Sequence, residues 1–317
     1  MDRHEPQGET KGTSVPGEFV HRHDPLDIIP TGWTRLAENR FSVSAAWSTG
    51  HPFFSPVDGD RHDPILVAET IRQATMLIAH AEYDVPVESQ FVLWDLSYDA
   101  EPDALLVDDD GADLTVDVIL SDVRGRGRGL RALRTTTVLT RDGRLVATGR
   151  GVASCTSAAA YRRIRGPQLA LLGRPVPLIT GVAPHSVGRE RPEDVVLGAG
   201  ALPGQWQLRI DTGHPTLFRR PNDHVPGMLL LEAARQAAHA TFGSEKFFPS
   251  VMNVSFHRYA ELDTPCWITA EVVPALDPET YAVRISGRQD GQSVFTCTFT
   301  SPTGALAPVE VDHRLAS

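Results

Sequence analysis

Two stretches of the chain share one pattern of polar and apolar positions. In the second, a polar loop, Gly213-His214-Pro215-Thr216-Leu217-Phe218-Arg219-Arg220-Pro221-Asn222-Asp223-His224, passes through Val225-Pro226-Gly227 into Met228-Leu229-Leu230-Leu231-Glu232-Ala233-Ala234-Arg235-Gln236. A Pro-Gly step ahead of a Leu/Ala run predicts a loop entering a buried helix. On the helical period Glu232, Arg235, Gln236 and His239 fall at i, i+3, i+4 and i+7, one polar stripe along an apolar helix. The first stretch runs from His51-Pro52-Phe53-Phe54 through Arg61-His62-Asp63-Pro64 into a helix carrying Glu69, Arg72 and Gln73. The His-to-Glu separation is 18 positions in both, Arg-Gln follows each Glu at the same offset, and the copies lie 163 residues apart, so the pattern predicts an internal duplication.

Around each predicted helix the period changes from helical to alternating. Arg40 to Trp47 reads as a strand, followed after the first helix by Ser89–Tyr98, Leu114–Asp122, Leu130–Thr140 and Arg144–Ser154. Turn clusters such as Asp108-Asp109-Asp110-Gly111 and Arg141-Asp142-Gly143 separate them, while Pro30-Thr31-Gly32 reads as a turn. The second pass gives Val195–Leu197, Trp206–Ile210, Val251–Phe256, Cys266–Val273, Tyr281–Arg288 and Ser293–Ser301. One buried helix followed by a meander of long antiparallel strands is a sheet wrapped around a helix, so the predicted fold is α+β, a tandem (double) hotdog. The predicted organisation is a disordered tail over 1–17, an N-terminal hotdog over 18–157, a Pro- and Arg-rich linker over 158–190, a C-terminal hotdog over 191–303 and a tail over 304–317.

Composition narrows the function classes. A net charge of −10 argues against a general nucleic-acid binder. Three scattered cysteines make neither a disulfide framework nor a Cys-rich metal site. The N-terminus lacks a signal-peptide core and no run approaches a membrane span, so a soluble, cytoplasmic protein is expected. There is no Gly-x-Ser-x-Gly elbow, P-loop, dinucleotide fingerprint or His-Glu-x-x-His motif, which leaves metal-free acyl chemistry as the candidate.

The residues that would carry it cluster on the repeated motif. The free N–H groups of Gly227 and Met228 at the helix start suit a developing oxyanion. His224 is a candidate general base or a loop cap, with Asp223 orienting it or capping the helix. Glu232, in an apolar helix, is expected to have a raised pKa and to shuttle a proton, unless it only pairs with Arg235; Glu69 with Arg72 and Gln73 is its counterpart. His51 and His214 are further catalytic candidates. Arg219 and Arg220 read either as a phosphate clamp or as solvated surface. The tract Arg124-Gly125-Arg126-Gly127-Arg128-Gly129 is a flexible turn or a docking point for an acidic carrier protein; as an RNA tract it lacks aromatic interleaving. The first copy has Asp63-Pro64-Ile65 in place of Pro-Gly, which favours the second copy as the better oxyanion site.

These residues carry a resemblance. His51-Pro52-Phe53-Phe54, the segment from His62-Asp63-Pro64 to Arg72-Gln73, and Asn222-Asp223-His224-Val225-Pro226-Gly227-Met228 running to Glu232-Ala233-Ala234-Arg235-Gln236 resemble the A-factor synthase (AfsA) family, over nearly the whole chain. A more distant likeness is to hotdog dehydratases of fatty-acid synthesis, with a Glu where Glu232 stands. The closer resemblance implies an acyltransferase joining a β-ketoacyl group from acyl carrier protein to dihydroxyacetone phosphate. The ester phosphate would close to a butenolide phosphate, a precursor of γ-butyrolactone-type signals that regulate antibiotic production. It implies no cofactor beyond the carrier's phosphopantetheine thioester, and a monomeric pseudo-dimer or a homodimer. Substrate contacts would come from Arg219, Arg220, Asn222, Asp223, Gly227, Met228, Arg72, Gln73, Arg235 and Gln236. The competing readings are an acyl thioesterase or dehydratase of the same fold and a non-catalytic acyl-ligand binding module.

Overall fold

A computed structural model describes residues 15–54, 60–107, 112–242 and 247–303. Residues 1–14 of the tail predicted over 1–17, the tail over 304–317 and the Asp108–Gly111 turn lie outside them, whereas Val15 packs into the core and Gly17 begins a 3-10 helix, Gly17–Val20. The first half comprises β1 (Pro30–Ala37), β2 (Arg40–Trp47), α1 (Ile65–Tyr83), β3 (Gln90–Ala100), β4 (Ala112–Arg124), β5 (Ala132–Arg141) and β6 (Arg144–Thr156). After α2 (Ala158–Arg165) the second half comprises β7 (Leu197–Ala199), β8 (Gln205–Leu208), α3 (Gly227–Phe242), β9 (Val251–Phe256), β10 (Trp267–Val273), β11 (Thr280–Gln289) and β12 (Gln292–Pro302).

Among the described residues twelve strands form one antiparallel sheet in the order β1-β2-β4-β5-β6-β3-β9-β12-β11-β10-β8-β7. The order reads as one six-strand unit followed by its mirror, so the two halves meet edge to edge through β3 and β9, with Leu96 opposite Val254. Joining at this edge satisfies two rows of backbone donors and acceptors that would otherwise be open. The duplication extends to turns. The β5–β6 hairpin turns on Asp142 (φ 50°) and Gly143 (φ 75°), and the β11–β12 hairpin on Asp290 (φ 48°) and Gly291 (φ 72°). Both are the Asp-Gly pair whose left-handed residues match the twist of the flanking strands.

One expectation is corrected. Pro30-Thr31-Gly32 does not make a turn but opens β1, an outermost strand, where a proline at the first position costs no ladder bond. Within the segment after residue 157, Ala158–Arg165 forms a helix whose N-cap Ser157 accepts from the Ala160 N–H.

Both long helices are sheathed by the sheet, α1 buried over nearly all its length and α3 likewise. The inward positions of the strands beneath them differ. Along β6 they are Ala147, Gly149, Gly151 and Ala153, whereas along the corresponding strand β12 they include Phe295, Cys297 and Phe299, all essentially fully buried. One half is therefore filled to its wall and the other leaves room. Among the described residues no helix is long and apolar enough to cross a membrane.

Candidate active site

The room becomes a cavity of about 260 Å³ beside the first turn of α3, lined by residues of both halves. Its apolar side includes Ile71 of α1, Leu93 and Leu96 of β3, Gly151 and Ala153 of β6 and Leu230 of α3. Its polar side carries His21, Arg22, Arg72, Arg220, Asn222 and His224. Gly227 and Met228 also face it, and as the first residues of α3 their N–H groups have no intrahelical acceptor. The helix dipole adds positive potential at the same point.

His224 is held by a network that reaches across the chain. Its Nδ1 lies 3.0 Å from Asp223 Oδ1 and 3.2 Å from the Tyr161 hydroxyl, which itself donates to Asp223 Oδ1 at 2.6 Å. The tautomer that satisfies Asp223 puts the hydrogen on Nδ1 and makes Nε2 an acceptor, facing the cavity and taking only a long hydrogen bond from Asn222 Nδ2 at 3.5 Å. Asp223 is buried and also accepts from Arg165 Nε at 2.7 Å. Burial pushes its carboxyl up, but the hydrogen bonds from His224, Tyr161 and Arg165 outweigh burial and hold it well below the usual carboxylate range. Arg165 is fixed in turn by both oxygens of Glu261 and lies over the Tyr259 ring at 4.3 Å. An ionised Asp behind a His whose Nε2 faces the cavity is the arrangement of a general base.

Opposite this pair sits an excess of cations. Arg22 and Arg72 both donate to Glu69 Oε1, at 2.7 Å each. Arg220 stands beside them, and among the described residues no carboxylate pairs with it; its Nη2 reaches His21 Nδ1 at 3.4 Å. His21 Nε2 lies 3.3 Å from His80 Nε2, and His80 Nδ1 donates to the Val85 carbonyl at 2.7 Å. That chain of bonds closes only if both rings are neutral, each passing its hydrogen one way. Burial, followed by the repulsion of Arg220 and Arg72, lowers His21 to about 2. Three guanidiniums with one carboxylate among them, bonded to Arg22 and Arg72 but not to Arg220, beside a histidine whose protonation they oppose, form a site for a dianion.

The duplicated stripe has another role. Gln73 Nε2 donates to the Asp27 carbonyl and its Oε1 accepts from Ile29 N–H, while Gln236 makes the same two bonds to Asp194 and Val196. Glu69 accepts from Arg22, Arg72 and Gln73; Glu232 accepts from Arg189, Arg235 and Gln236. Each helix is thus riveted to the segment ahead of its first strand. The expected raised pKa is corrected in both copies. Burial does push Glu69 up, but Arg22 and Arg72 outweigh it and hold it at about 2, and Arg189 and Arg235 hold Glu232 well below the carboxylate range. Neither carboxylate lines the cavity, nor do Gln73, Arg235 and Gln236. Of the two stripes only Arg72 reaches it.

The histidines of the two His-Pro steps are likewise structural. His51 Nδ1 accepts from the N–H groups of Phe53 and Phe54 while Nε2 donates to Asp27, and His214 does the same with Thr216, Leu217 and Asp194. Both are buried away from the cavity, so their candidacy as catalytic groups is corrected. Arg219 borders the cavity, but its guanidinium is bound to Asp24 and Asp27, so the pair Arg219-Arg220 does not act as one clamp. The first copy has no histidine at the position of the base. Arg61 and His224 occupy matching bridges, to Leu106 and Glu261, and Arg61 lies over Phe248 instead of facing a dyad. In the Arg124–Gly129 tract, Arg126 pairs with Asp84 and Arg128 with Glu88.

Sequence reasoning missed His21, Arg22, Tyr161 and Arg165. A signal existed for Arg22, because Arg22–Asp27 and Arg189–Asp194 are matched pairs, but they repeat at a spacing four residues longer than the helix motif.

The model of the A-factor biosynthesis hotdog domain matches residues 4–157 and 173–303 of this chain. The chain belongs to the A-factor biosynthesis hotdog family. Within it, the 2-oxo-3-(phosphooxy)propyl 3-oxoalkanoate synthase of Streptomyces virginiae is 48% identical over 286 residues, covering 90% of this chain and 96% of that one. A synthase of the same description from Streptomyces coelicolor is 46% identical over 297 residues, 93% of each chain. Among solved structures, the 12:0-ACP thioesterase from Umbellularia californica superposes with a TM-score of 0.52 at 11% identity, over 85% of this chain and all of that one. That likeness concerns the fold alone. This member of the A-factor biosynthesis family folds as a double hotdog with a cavity at the start of α3.

Proposed function

We propose that this protein is an acyltransferase that moves a 3-oxoacyl group from the thioester of a carrier protein to a hydroxyl of dihydroxyacetone phosphate. The product is then a 2-oxo-3-(phosphooxy)propyl 3-oxoalkanoate, the compound named in the relatives' descriptions. The observation that carries the reading is the pairing, in one cavity, of an Asp-backed histidine at a helix start with an arginine cluster in cationic excess and an apolar wall. A thioesterase needs the first and the third; the cationic cluster is what a phosphorylated acceptor adds.

The chemistry follows from the side chains. Arg22, Arg72 and Arg220 hold the phosphate in charge-assisted hydrogen bonds. His224 Nε2 takes the proton of the acceptor hydroxyl as its oxygen attacks the thioester carbonyl. The oxyanion forms against the N–H groups of Gly227 and Met228. Collapse breaks the C–S bond, and the departing thiolate recovers the proton from His224. Holding the acceptor by its phosphate raises its effective concentration over water, which favours transfer over hydrolysis. The ester carries an active methylene next to a ketone, so intramolecular aldol condensation leads to a butenolide phosphate.

Purified protein incubated with a 3-oxoacyl carrier protein and dihydroxyacetone phosphate yields the ester phosphate or its condensed form by mass spectrometry. Free 3-oxo acid alone would instead make the protein a thioesterase, and unchanged substrates would make it a binding module.

A further inference from the structure

Gly151 lacks both usual reasons for being glycine. Its backbone does not lie in the left-handed region, and a Cβ placed there would meet nothing closer than Leu96 Cδ1 at 3.7 Å and the Asp95 carbonyl oxygen at 3.9 Å, ordinary contacts. Gly149, two residues earlier on the same face, is different: a Cβ there would collide with Ile71 Cδ1 and lie 2.9 Å from Thr137 Oγ1. Gly149 is small because α1 packs on it. Gly151 is small with no protein atom occupying the space.

That space belongs to the cavity. Gly151 and Ala153 both line it, together with Ile71, Leu96 and Leu230. These three side chains are almost completely buried, and Leu96 is fixed between β6 and β9 by its pairing with Gly151 and Val254. Side chains so confined do not swing away from a substituent. The matching face of β12 carries Phe295, Cys297 and Phe299, so the fold accepts full-sized side chains on this strand when no space is kept. A gap of one methyl group in a packed wall is destabilising unless something fills it.

We propose that Gly151 sets the length of acyl chain this protein accepts. The hydrocarbon tail of the 3-oxoacyl group lies along β6 over Gly151 and Ala153, and atoms added at Gly151 displace its last carbons. The inference rests on the acyl-transfer reading and deepens it by naming the residue that selects the donor.

The test compares the wild type with Gly151→Ala and Gly151→Val, using 3-oxoacyl thioesters of stepwise increasing length with dihydroxyacetone phosphate. A methylene gained or lost in a hydrophobic pocket discriminates by roughly 10–200-fold. In Gly151→Val, kcat/KM for the longest wild-type substrate therefore falls by about tenfold or more, the shortest stay within about twofold, and the preferred length shifts downward; Gly151→Ala gives a smaller shift in the same direction. An unchanged preferred length, or equal loss at every length, overturns the proposal. Calorimetric binding of the same thioesters without acceptor is run in parallel on variants whose melting curves show them folded. If the wild type forms no ester but Gly151→Val still loses the long thioesters selectively, the transfer reading falls and the length selection stands. Binding that is indifferent to length in all three proteins removes Gly151 from any such role.

Discussion

Replacing Glu232 by Gln separates a structural carboxylate from a catalytic one. Glu232 accepts from Arg189 Nε at 2.8 Å, from Arg235 Nε and Nη2 at 2.9 Å each, and from Gln236 Nε2 at 2.6 Å. The amide keeps one acceptor but turns an NH₂ toward guanidinium donors, and two buried cations lose their counter-charge. Breaking a buried ion pair from one side costs about 3–5 kcal/mol. For a domain of this size that lowers the melting temperature on the order of 10 °C. The assay is calorimetric melting beside steady-state transfer kinetics measured well below the variant's transition. The expected result is a large fall in melting temperature, with kcat and both KM values within about twofold of wild type, because Glu232 does not reach the cavity. Loss of turnover in a variant that melts like the wild type would refute this reasoning and return the carboxylate to the chemistry.

Two neighbouring arginines divide in the same way. Arg220→Ala removes a cation that no carboxylate among the described residues pairs with, so KM for the phosphorylated acceptor rises about tenfold or more with the thioester KM unchanged. Arg219→Ala, which breaks contacts to Asp24 and Asp27, lowers the melting temperature while the acceptor KM moves far less; the opposite assignment would show Arg219 to be the clamp. Acid stability follows from the buried carboxylates. Glu69 is held at about 2 in the folded chain against roughly 4.3 unfolded, so its contribution is fully present above about pH 4.3 and is lost as pH falls from there toward 2. Denaturant titrations therefore show stability dropping over that interval, less steeply in Glu69→Gln; a flat profile down to pH 3 would contradict the burial of these charges.

What the sequence disclosed was local and periodic. The duplicated helix, the strands and their Asp-Gly turns, and the step from His224 through Pro226 into Gly227 all lie within a few residues of one another, so spacing alone reveals them. Glu232 was legible as buried but not as ionised, because the sequence displays Arg235 one turn away and hides Arg189, which arrives from 43 positions earlier. His51 and His214 look chemical in sequence for the reason that makes them structural, since a histidine after a strand can tie a Pro-containing turn to an aspartate. Tyr161 sits in the segment between the halves, where no repeat marks it, and only folding brings its hydroxyl against Asp223. The contrast between β6 and β12, small against large on one face, was present in the residues but acquires meaning only when the two strands are seen to be counterparts.

Acyl transfer at the start of α3, with His224 as base, can be followed directly. The most direct measurement follows the ester phosphate by mass spectrometry in wild type and in His224→Asn, supplied with identical 3-oxoacyl carrier protein and dihydroxyacetone phosphate. The wild type forms product, and the variant forms it at a rate about 10²–10⁴-fold lower with its melting temperature retained. Product formed at the wild-type rate by His224→Asn would contradict His224 as the base.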